Sequence, residues 1–162
     1  MLYATYEGIH VLRFVGNIRY WLAPSLDRFV KRLFESSSLS GLLIDLTATE
    51  SIDSTNLGLL ARIAIRIRES DQPRVTILSD CAHINELLLA MSLDEVFDIT
   101  SEAGFDVLED AHPLPIENAD HDVVMRIALD AHRALMRLSE KNRQIFQDVV
   151  TLLEGEEEAG AA

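Results

Sequence analysis

The chain has a single cysteine, Cys81, so it cannot form an internal disulfide, which suits a reducing compartment. No apolar run, such as that at 87–91, approaches the about 20 residues that a membrane-spanning helix requires. Basic residues are few, since 14 Lys and Arg stand against 27 Asp and Glu, for a formal net charge of −13. This charge disfavours nucleic acid and anionic membrane surfaces as partners. Residues 1–20 lack the basic start and apolar block of a secretory signal, so we expect a cytoplasmic location.

What the chain does have is the composition of an ordinary folded protein. Hydrophobic residues make up 48% and charged residues 25% of its 162 positions, enough for one domain with a substantial core and an appendage. Alternating or continuous apolar stretches predict strands at 3–6, 10–16, 42–46, 74–79 and 96–99. Apolar residues at helical spacing predict helices at 24–35, 55–69 and 83–91. This order predicts an α/β domain, with a mixed sheet of about five strands and three or more helices.

The character of the chain changes near Phe105. Residues 106–162 carry 13 of the 27 acidic residues but 5 of the 14 basic ones. Prolines favour an extended linker over 106–121, after a domain spanning 1–105. An apolar stripe then predicts one long helix or two over 122–154, followed by a frayed acidic tail at 155–162. This helical extension either docks its stripe on the rest of the chain or offers it to a partner, including a second copy in a homodimer.

A polar motif, DSTNLG, separates the apolar strand at 42–46 from the helix at 55–69. Ser54 stands where a side-chain oxygen can accept a hydrogen bond from a free N–H group of the first helical turn. Asp53 would add a negative charge near the positive end of that helix. A helix cap explains both residues, but a serine at this point could also be presented to a partner.

In its wider context the motif resembles the STAS family, whose single-domain bacterial members are anti-sigma factor antagonists. The resemblance covers roughly residues 3–102 and includes a strand ending in IDL, the DSTNLG helix start, the VTIL strand and the segment LDEVFDIT. The family signature is Asp-Ser-Ser/Thr-Gly-Leu-Gly, and five of its six positions agree here. The departure is Asn56 in place of glycine. Its cost in helix propensity is modest and spares the fold, but it changes how closely a partner backbone can approach.

The resemblance implies a phosphorylation switch at Ser54, with Thr55 as the lesser candidate. Unphosphorylated protein would bind an anti-sigma factor and so release a sigma factor. A partner serine kinase would add the phosphate, and a metal-dependent serine phosphatase would remove it. The implied partner-binding residues are Asp53, Ser54, Thr55, Asn56, Leu57 and Gly58. The protein would be a substrate and not an enzyme, with no cofactor or metal of its own.

Other functions compete with this interpretation. A serine hydrolase needs a base beside Ser54, for which a distant His10 or His83 is available, but the motif lacks the Gly-x-Ser-x-Gly elbow. A metal shared by His121 and His132 is disfavoured, because eleven positions on one continuous helix separate them by about 16 Å. A constitutive STAS scaffold or a small-ligand sensor would keep the fold without the switch.

Overall fold

A computed structural model describes residues 1–35, 40–70, 72–102 and 111–160. The predicted linker start and the final two residues of the predicted tail lie outside the described residues. The strands are β1 (Leu2–Tyr6), β2 (Ile9–Ile18), β3 (Gly41–Ile52), β4 (Thr76–Leu78), β5 (Asp98–Thr100) and β6 (His112–Pro113). The helices are α1 (Ala23–Glu35), α2 (Ser54–Arg68), α3 (Ala82–Ala90), α4 (His121–Leu138) and α5 (Glu140–Gly160). Single 3₁₀ turns lie at Tyr20–Leu22 and Leu93–Glu95.

The described strands form one mixed sheet in the order β5-β4-β3-β2-β1-β6. β1 and β2 make an antiparallel hairpin whose turn residues, Glu7 and Gly8, both have positive φ angles of 48° and 84°. Two such residues in succession match the twist of a tight hairpin. β2 to β5 run parallel, and α1, α2 and α3 lie between them in the chain. The prediction of an α/β domain with a mixed sheet is confirmed.

β3 lies near the centre of the sheet and is longer than the predicted strand at 42–46. It extends to Ile52 because β2 continues beside it through two register shifts, ending with Ile18 opposite Ile52. The backbone N–H of Asp53 then donates to the carbonyl oxygen of Ile18 at 3.2 Å. The carboxyl ends of two parallel strands therefore meet the N-terminus of α2, an edge of the sheet at which α/β proteins commonly place binding sites.

α2 is covered on nearly every side. Of its described residues, only Arg66 and Arg68 are exposed, while Ser54 and Arg62 are half-buried. α1 packs against α2, and α4 packs against both. The predicted helices near 24–35 and 55–69 are thus confirmed as α1 and α2, and α2 begins one residue earlier than the pattern indicated.

The C-terminal extension folds as two helices, α4 and α5, which pack against each other as a hairpin. α4 ends at Leu138 because Ser139 has an extended backbone, with φ −155° and ψ 158°. The hydroxyl of Ser139 accepts a hydrogen bond from the backbone N–H of Asn142 at 3.2 Å, so it caps α5. The choice between one long helix and two is therefore settled in favour of two.

α5 continues through Gly160, over most of the positions for which the sequence predicted a frayed acidic tail at 155–162. One contact that holds this end is the ion pair between Arg126 on α4 and Glu157 on α5, at 3.6 Å. Glu157 is thus paired with a basic residue of the neighbouring helix. Composition alone could not indicate this surface ion pair.

The described part of the predicted linker at 106–121 lies along the sheet domain. β6 pairs with β1, and the backbone N–H of Glu117 donates to the hydroxyl of Ser25 on α1 at 2.8 Å. The carboxylate of Glu117 also pairs with Arg28 at 3.0 Å. The division into a domain, a linker and an extension stays a prediction. No described helix is long and apolar enough to cross a membrane.

Candidate functional site

Asp53, and not Ser54 as the sequence indicated, is the N-cap of α2. Its backbone is extended, with φ −87° and ψ 168°, and its Oδ1 accepts a hydrogen bond from the backbone N–H of Asn56 at 3.0 Å. Asp53 takes this role because it is the last extended residue before the helix. Ser54 is the first helical residue, and its hydroxyl makes a different contact.

Asn56 completes a small hydrogen-bonded unit with Asp53. Its side-chain Nδ2 donates to the same Oδ1 at 2.9 Å. Asn56 is fully buried, and its own Oδ1 has no hydrogen-bond partner among the described residues. The residue that departs from the STAS signature therefore orients the capping carboxylate from inside the protein.

The hydroxyl of Ser54 bonds to His132, which lies 78 positions further along the chain. Its Oγ is 2.9 Å from Nε2 of His132 on α4, and the imidazole is 6% exposed. Nδ1 of His132 lies 2.7 Å from the carbonyl oxygen of Ala128, one turn earlier in the same helix. Because that oxygen can only accept, Nδ1 carries the proton, and in the neutral ring Nε2 accepts a hydrogen bond from the Ser54 hydroxyl.

The surroundings of His132 favour this neutral form. Burial lowers the pKa of the imidazole below its ordinary 6.5, while the hydrogen bond to Ala128 and the charge of Asp53 act in the opposite direction. The ring also packs against Phe146 of α5, with ring centroids 5.2 Å apart. His132 therefore connects the start of α2 to both helices of the hairpin.

Gly58 lets α4 approach α2 closely. A Cβ placed on Gly58 would collide with the carbonyl oxygen of Ala131 and would lie 2.7 Å from its Cβ. Ala131 itself is fully buried. A glycine is required here by packing, since the backbones of two helices meet with no room for a side chain between them.

The six residues that the sequence assigned to partner binding differ in accessibility. Asp53 and Ser54 are half-buried. The other four are buried, and these are Thr55, Asn56, Leu57 and Gly58. The motif is thus held together at the start of α2 as expected, but in this conformation most of it lies beneath other parts of the protein.

A hydroxyl bonded to a neutral imidazole is chemically a nucleophile beside a base. The group that orients the imidazole here is a backbone carbonyl and not a carboxylate. The two histidines considered from the sequence lie elsewhere, since His10 on β2 bonds to Tyr3 and His83 is an exposed residue of α3. Within the part of the chain that the structure describes, no cluster of ligating side chains could hold a metal ion.

Residues 1–106 match the family described as STAS domain, and this match covers more than half of the chain. The chain belongs to the STAS domain family. Comparison with curated proteins gave no match. In this STAS protein the motif on α2 lies inside the matched region, whereas α4 and α5 follow it. The residues that contact Ser54 and Gly58, His132 and Ala131, are therefore contributed by the extension.

Sequence reasoning missed His132 as a site residue and considered it only as a metal ligand. A signal was present on α2, where Leu59 and Ile65 lie away from the apolar stripe that predicted the helix. A helix that is apolar all round is buried on all sides, so a further element had to cover it. The position of His132 along α4 could not be matched to Ser54 without coordinates.

Proposed function

We propose that this STAS protein is a bacterial anti-sigma factor antagonist that acts by partner switching, with Ser54 as the phosphorylated residue. The observation that carries the proposal is the position of Ser54. It is the first residue of α2, next to the capping carboxylate of Asp53, at the edge of the sheet where β2 and β3 end. The DSTNLG motif and the family membership support the assignment.

The chemistry of a phosphate at this position suits a switch that preserves the domain. A kinase transfers the γ-phosphoryl group of ATP to Oγ of Ser54, so an O–P bond forms while ADP and the hydroxyl proton leave. The product carries about −1.5 to −2 charges at neutral pH. It lies beside free N–H groups and the positive end of the α2 dipole, which favour an anion. The domain should therefore stay folded.

The same phosphate changes the surface that a partner would contact. It adds bulk and negative charge beside Asp53, so an interface formed around Asp53 to Gly58 would meet a steric conflict and repelling charge. Unphosphorylated protein binds an anti-sigma factor, and the phosphorylated form releases it. A serine kinase and a metal-dependent serine phosphatase set the balance in the cytoplasm. Thr55 is a poorer acceptor because it is 6% exposed.

The test uses an anti-sigma kinase, a single protein that is both the anti-sigma factor and the serine kinase of the proposed switch. It compares Ser54→Ala with Ser54→Asp in binding to that protein. We expect Ser54→Ala to bind constitutively and Ser54→Asp to bind at least about tenfold more weakly, or about 1.4 kcal/mol in binding free energy. Isothermal titration calorimetry measures both. Ser51→Ala and Ser51→Asp are matched controls, because Ser51 lies three positions earlier at the end of β3. Equal binding by both Ser54 variants would contradict the switch.

Incubation of wild-type protein with that kinase and ATP separates the switch from a constitutive STAS scaffold or a small-ligand sensor. A gain of one phosphate, mapped to Ser54 by mass spectrometry and coupled to release of the partner, is the expected result. Tight binding that persists after phosphorylation would favour the scaffold.

The hydrogen bond between Ser54 and His132 favours one enzymatic alternative, a serine hydrolase. Against it, the imidazole is 6% exposed and is oriented by a carbonyl oxygen, so a substrate would have to displace α4 to reach the pair. We expect no ester hydrolysis that depends on Ser54. A burst of p-nitrophenol from p-nitrophenyl acetate with wild type, lost in Ser54→Ala, would support the hydrolase.

A further inference from the structure

α4 lies along the face of α2 that begins at Ser54. Residues 54, 58, 65 and 69 fall within one narrow stripe of a helix, because their spacings are close to whole numbers of turns. Ser54 bonds to His132, Gly58 meets Ala131, and Glu69, just after α2, pairs with Arg137 at 3.5 Å. One helix of the extension therefore contacts this stripe near its beginning and at its end.

The contact at Gly58 is too close to leave a gap for another molecule. The Ala131 backbone occupies the space in which any side chain at position 58 would lie. A partner that used Gly58 for close backbone approach would need the same volume. Occupation of this position by α4 and by a protein partner is thus mutually exclusive.

The contact at Ser54 is equally incompatible with phosphorylation in place. The hydroxyl is within hydrogen-bond distance of a buried imidazole, so three phosphate oxygens cannot be added on that side without moving α4. A kinase must also bring ATP up to Oγ in line with the bond that forms. The docked hairpin therefore shields Ser54 from modification as well as from binding.

The far end of the hairpin is tied to the STAS domain at a different place. The Nδ2 of Asn142, at the start of α5, donates to the carbonyl oxygen of Met91 in the STAS domain at 2.8 Å, and to that of Leu135 on α4 itself at 3.0 Å. The hydroxyl of Ser92 donates to that of Ser139 at 3.0 Å. The turn between α4 and α5 can therefore stay attached while the α4 contacts with Ser54 and Gly58 are lost.

An accessible surface remains beside the covered stripe. Tyr20 and Trp21 are 59% and 51% exposed, in the 3₁₀ turn that follows β2 and packs against both α2 and α4. Exposed aromatic side chains of this kind are enriched where proteins bind one another. They offer a partner a first contact next to the stripe while α4 is still docked.

We propose that the α4–α5 hairpin is an intramolecular competitor of the protein partner for the Ser54–Gly58 face of α2. The inference rests on the proposed function, since the partner is the anti-sigma factor of that switch. The hairpin holds the protein in a closed state. The anti-sigma factor or the serine kinase can reach Ser54 only when α4 undocks from α2. The competing surface on the partner must likewise present a small residue opposite Gly58.

The experiment places the same side chain at two adjacent positions of α4 in the full-length chain. Ala131→Gln puts a glutamine against Gly58, whereas Asp130→Gln puts it on the exposed side. Amide hydrogen exchange in α4 reports docking, and the fluorescence of Trp21, the single tryptophan, gives an independent signal. Affinity for the purified anti-sigma kinase is then measured for each variant, with and without Ser54→Ala.

We expect Ala131→Gln to speed exchange in α4 and to bind the kinase about tenfold more tightly, as when a closed state hides about nine tenths of the protein. It should also be phosphorylated at Ser54 faster, while Asp130→Gln behaves as wild type. Should Ala131→Gln lose helical circular dichroism, Ala131→Val provides a smaller increase in volume, and the same order of results is expected.

Three results would overturn the inference. Unchanged exchange in both Ala131 variants would mean that Ala131 does not hold α4 on Gly58. Hydrogen exchange in α4 could become faster without tighter binding of the kinase. If Ser54→Ala and Ser54→Asp still differed in binding, this result would refute the competition and leave the proposed function intact. Absence of binding by every variant, including Ser54→Ala combined with Ala131→Gln, would remove the proposed function and the competition together.

Discussion

His132 shows how one side chain links the chemistry of the motif to the position of the extension. Its Nδ1–H is used by the carbonyl of Ala128, so Nε2 accepts from Ser54 only while the ring is neutral. Protonation would replace that acceptor by a second donor. The serine hydroxyl could then no longer donate to the ring.

This arrangement predicts a dependence of stability on pH. Because burial lowers the pKa of His132 below 6.5, the folded protein binds fewer protons than the unfolded chain on the acid side. The contribution of neutral His132 to the free energy of unfolding is therefore complete above about pH 6.5. It is lost as the pH falls through the lowered pKa, and the loss is about 1.4 kcal/mol for each unit by which burial lowers that pKa. The groups that face the ring are Asp53, which opposes the shift, Ser54, and Phe146 of α5, which carries no charge.

Urea unfolding of wild type and His132→Gln between pH 5 and pH 8 measures this contribution. The free energy of unfolding of wild type should fall more steeply below about pH 6.5 than that of the variant. Comparison with the variant matters because burial also lowers the pKa of His10, which both proteins share. Parallel pH profiles would contradict the assignment to His132.

The motif itself could be located from the sequence, but the roles of its residues could not. Composition and spacing placed residues 53–58 at the start of a helix, where they lie. They indicated Ser54 and not Asp53 as the cap. Both types are common N-caps, and the last extended residue is fixed by the end of β3. The partner of Ser54 depended on a contact across 78 positions, which no local pattern encodes.

At the scale of whole elements, local sequence patterns located the helices and strands well, but they did not indicate which elements pack against one another. The pattern for β3 stopped at residue 46, because the polar second half of the strand is stabilised by β2 and not by its own apolar residues. For α2, the apolar residues outside the predicted stripe are also buried, which indicates a second element packed against the helix. A helix with more buried faces than its sheet can cover requires another element beside it.

The contact between α2 and α4 predicts the outcome of Gly58→Ala. Replacing a helical glycine by alanine ordinarily stabilises by about 1 kcal/mol. At Gly58 the new methyl group would collide with the Ala131 carbonyl, and overpacking of this kind costs about 1–3 kcal/mol. We expect the second effect to prevail, with a net loss of stability and faster hydrogen exchange in α4.

Gly155→Ala in α5 is the matched control, because nothing lies within 4 Å of a Cβ placed at that position. It should keep the gain in helix propensity and leave α4 protected. Chemical denaturation of both variants gives the comparison. If Gly58→Ala were more stable than wild type, α4 would not pack closely against Gly58 of α2 in solution.

At the scale of the whole molecule, the acidic extension is balanced partly from within. Arginines of α4 pair with glutamates of α5, as in the 2.7 Å contact between Arg133 and Glu154. These pairs lie on the surface and each is worth little alone. The sequence predicted an acidic extension, but only the fold shows that its last turns lie against the arginines of α4.

The outer side of α5 carries an apolar stripe that the hairpin leaves exposed. Ile145, Val149 and Leu152 are 46%, 38% and 66% exposed, and their spacing places them on one helical face. The sequence predicted that a homodimer could form through the C-terminal helix, and this stripe is the surface it would use. An antiparallel, two-fold arrangement keeps the acidic ends of the two α5 helices apart, whereas a parallel one would bring them together.

Sedimentation velocity tests this dimer. We expect wild-type protein at about 100 µM to sediment as a species of about twice 18.1 kDa, because pairing would remove three exposed apolar side chains from water. Val149→Glu should give a monomer, since a charge would enter the centre of the stripe. Thr151→Glu adds the same charge on another exposed side of α5 and should leave the dimer intact. A wild-type monomer at this concentration would refute pairing through α5 and would leave the contact between α4 and α2, which involves other residues, unaffected.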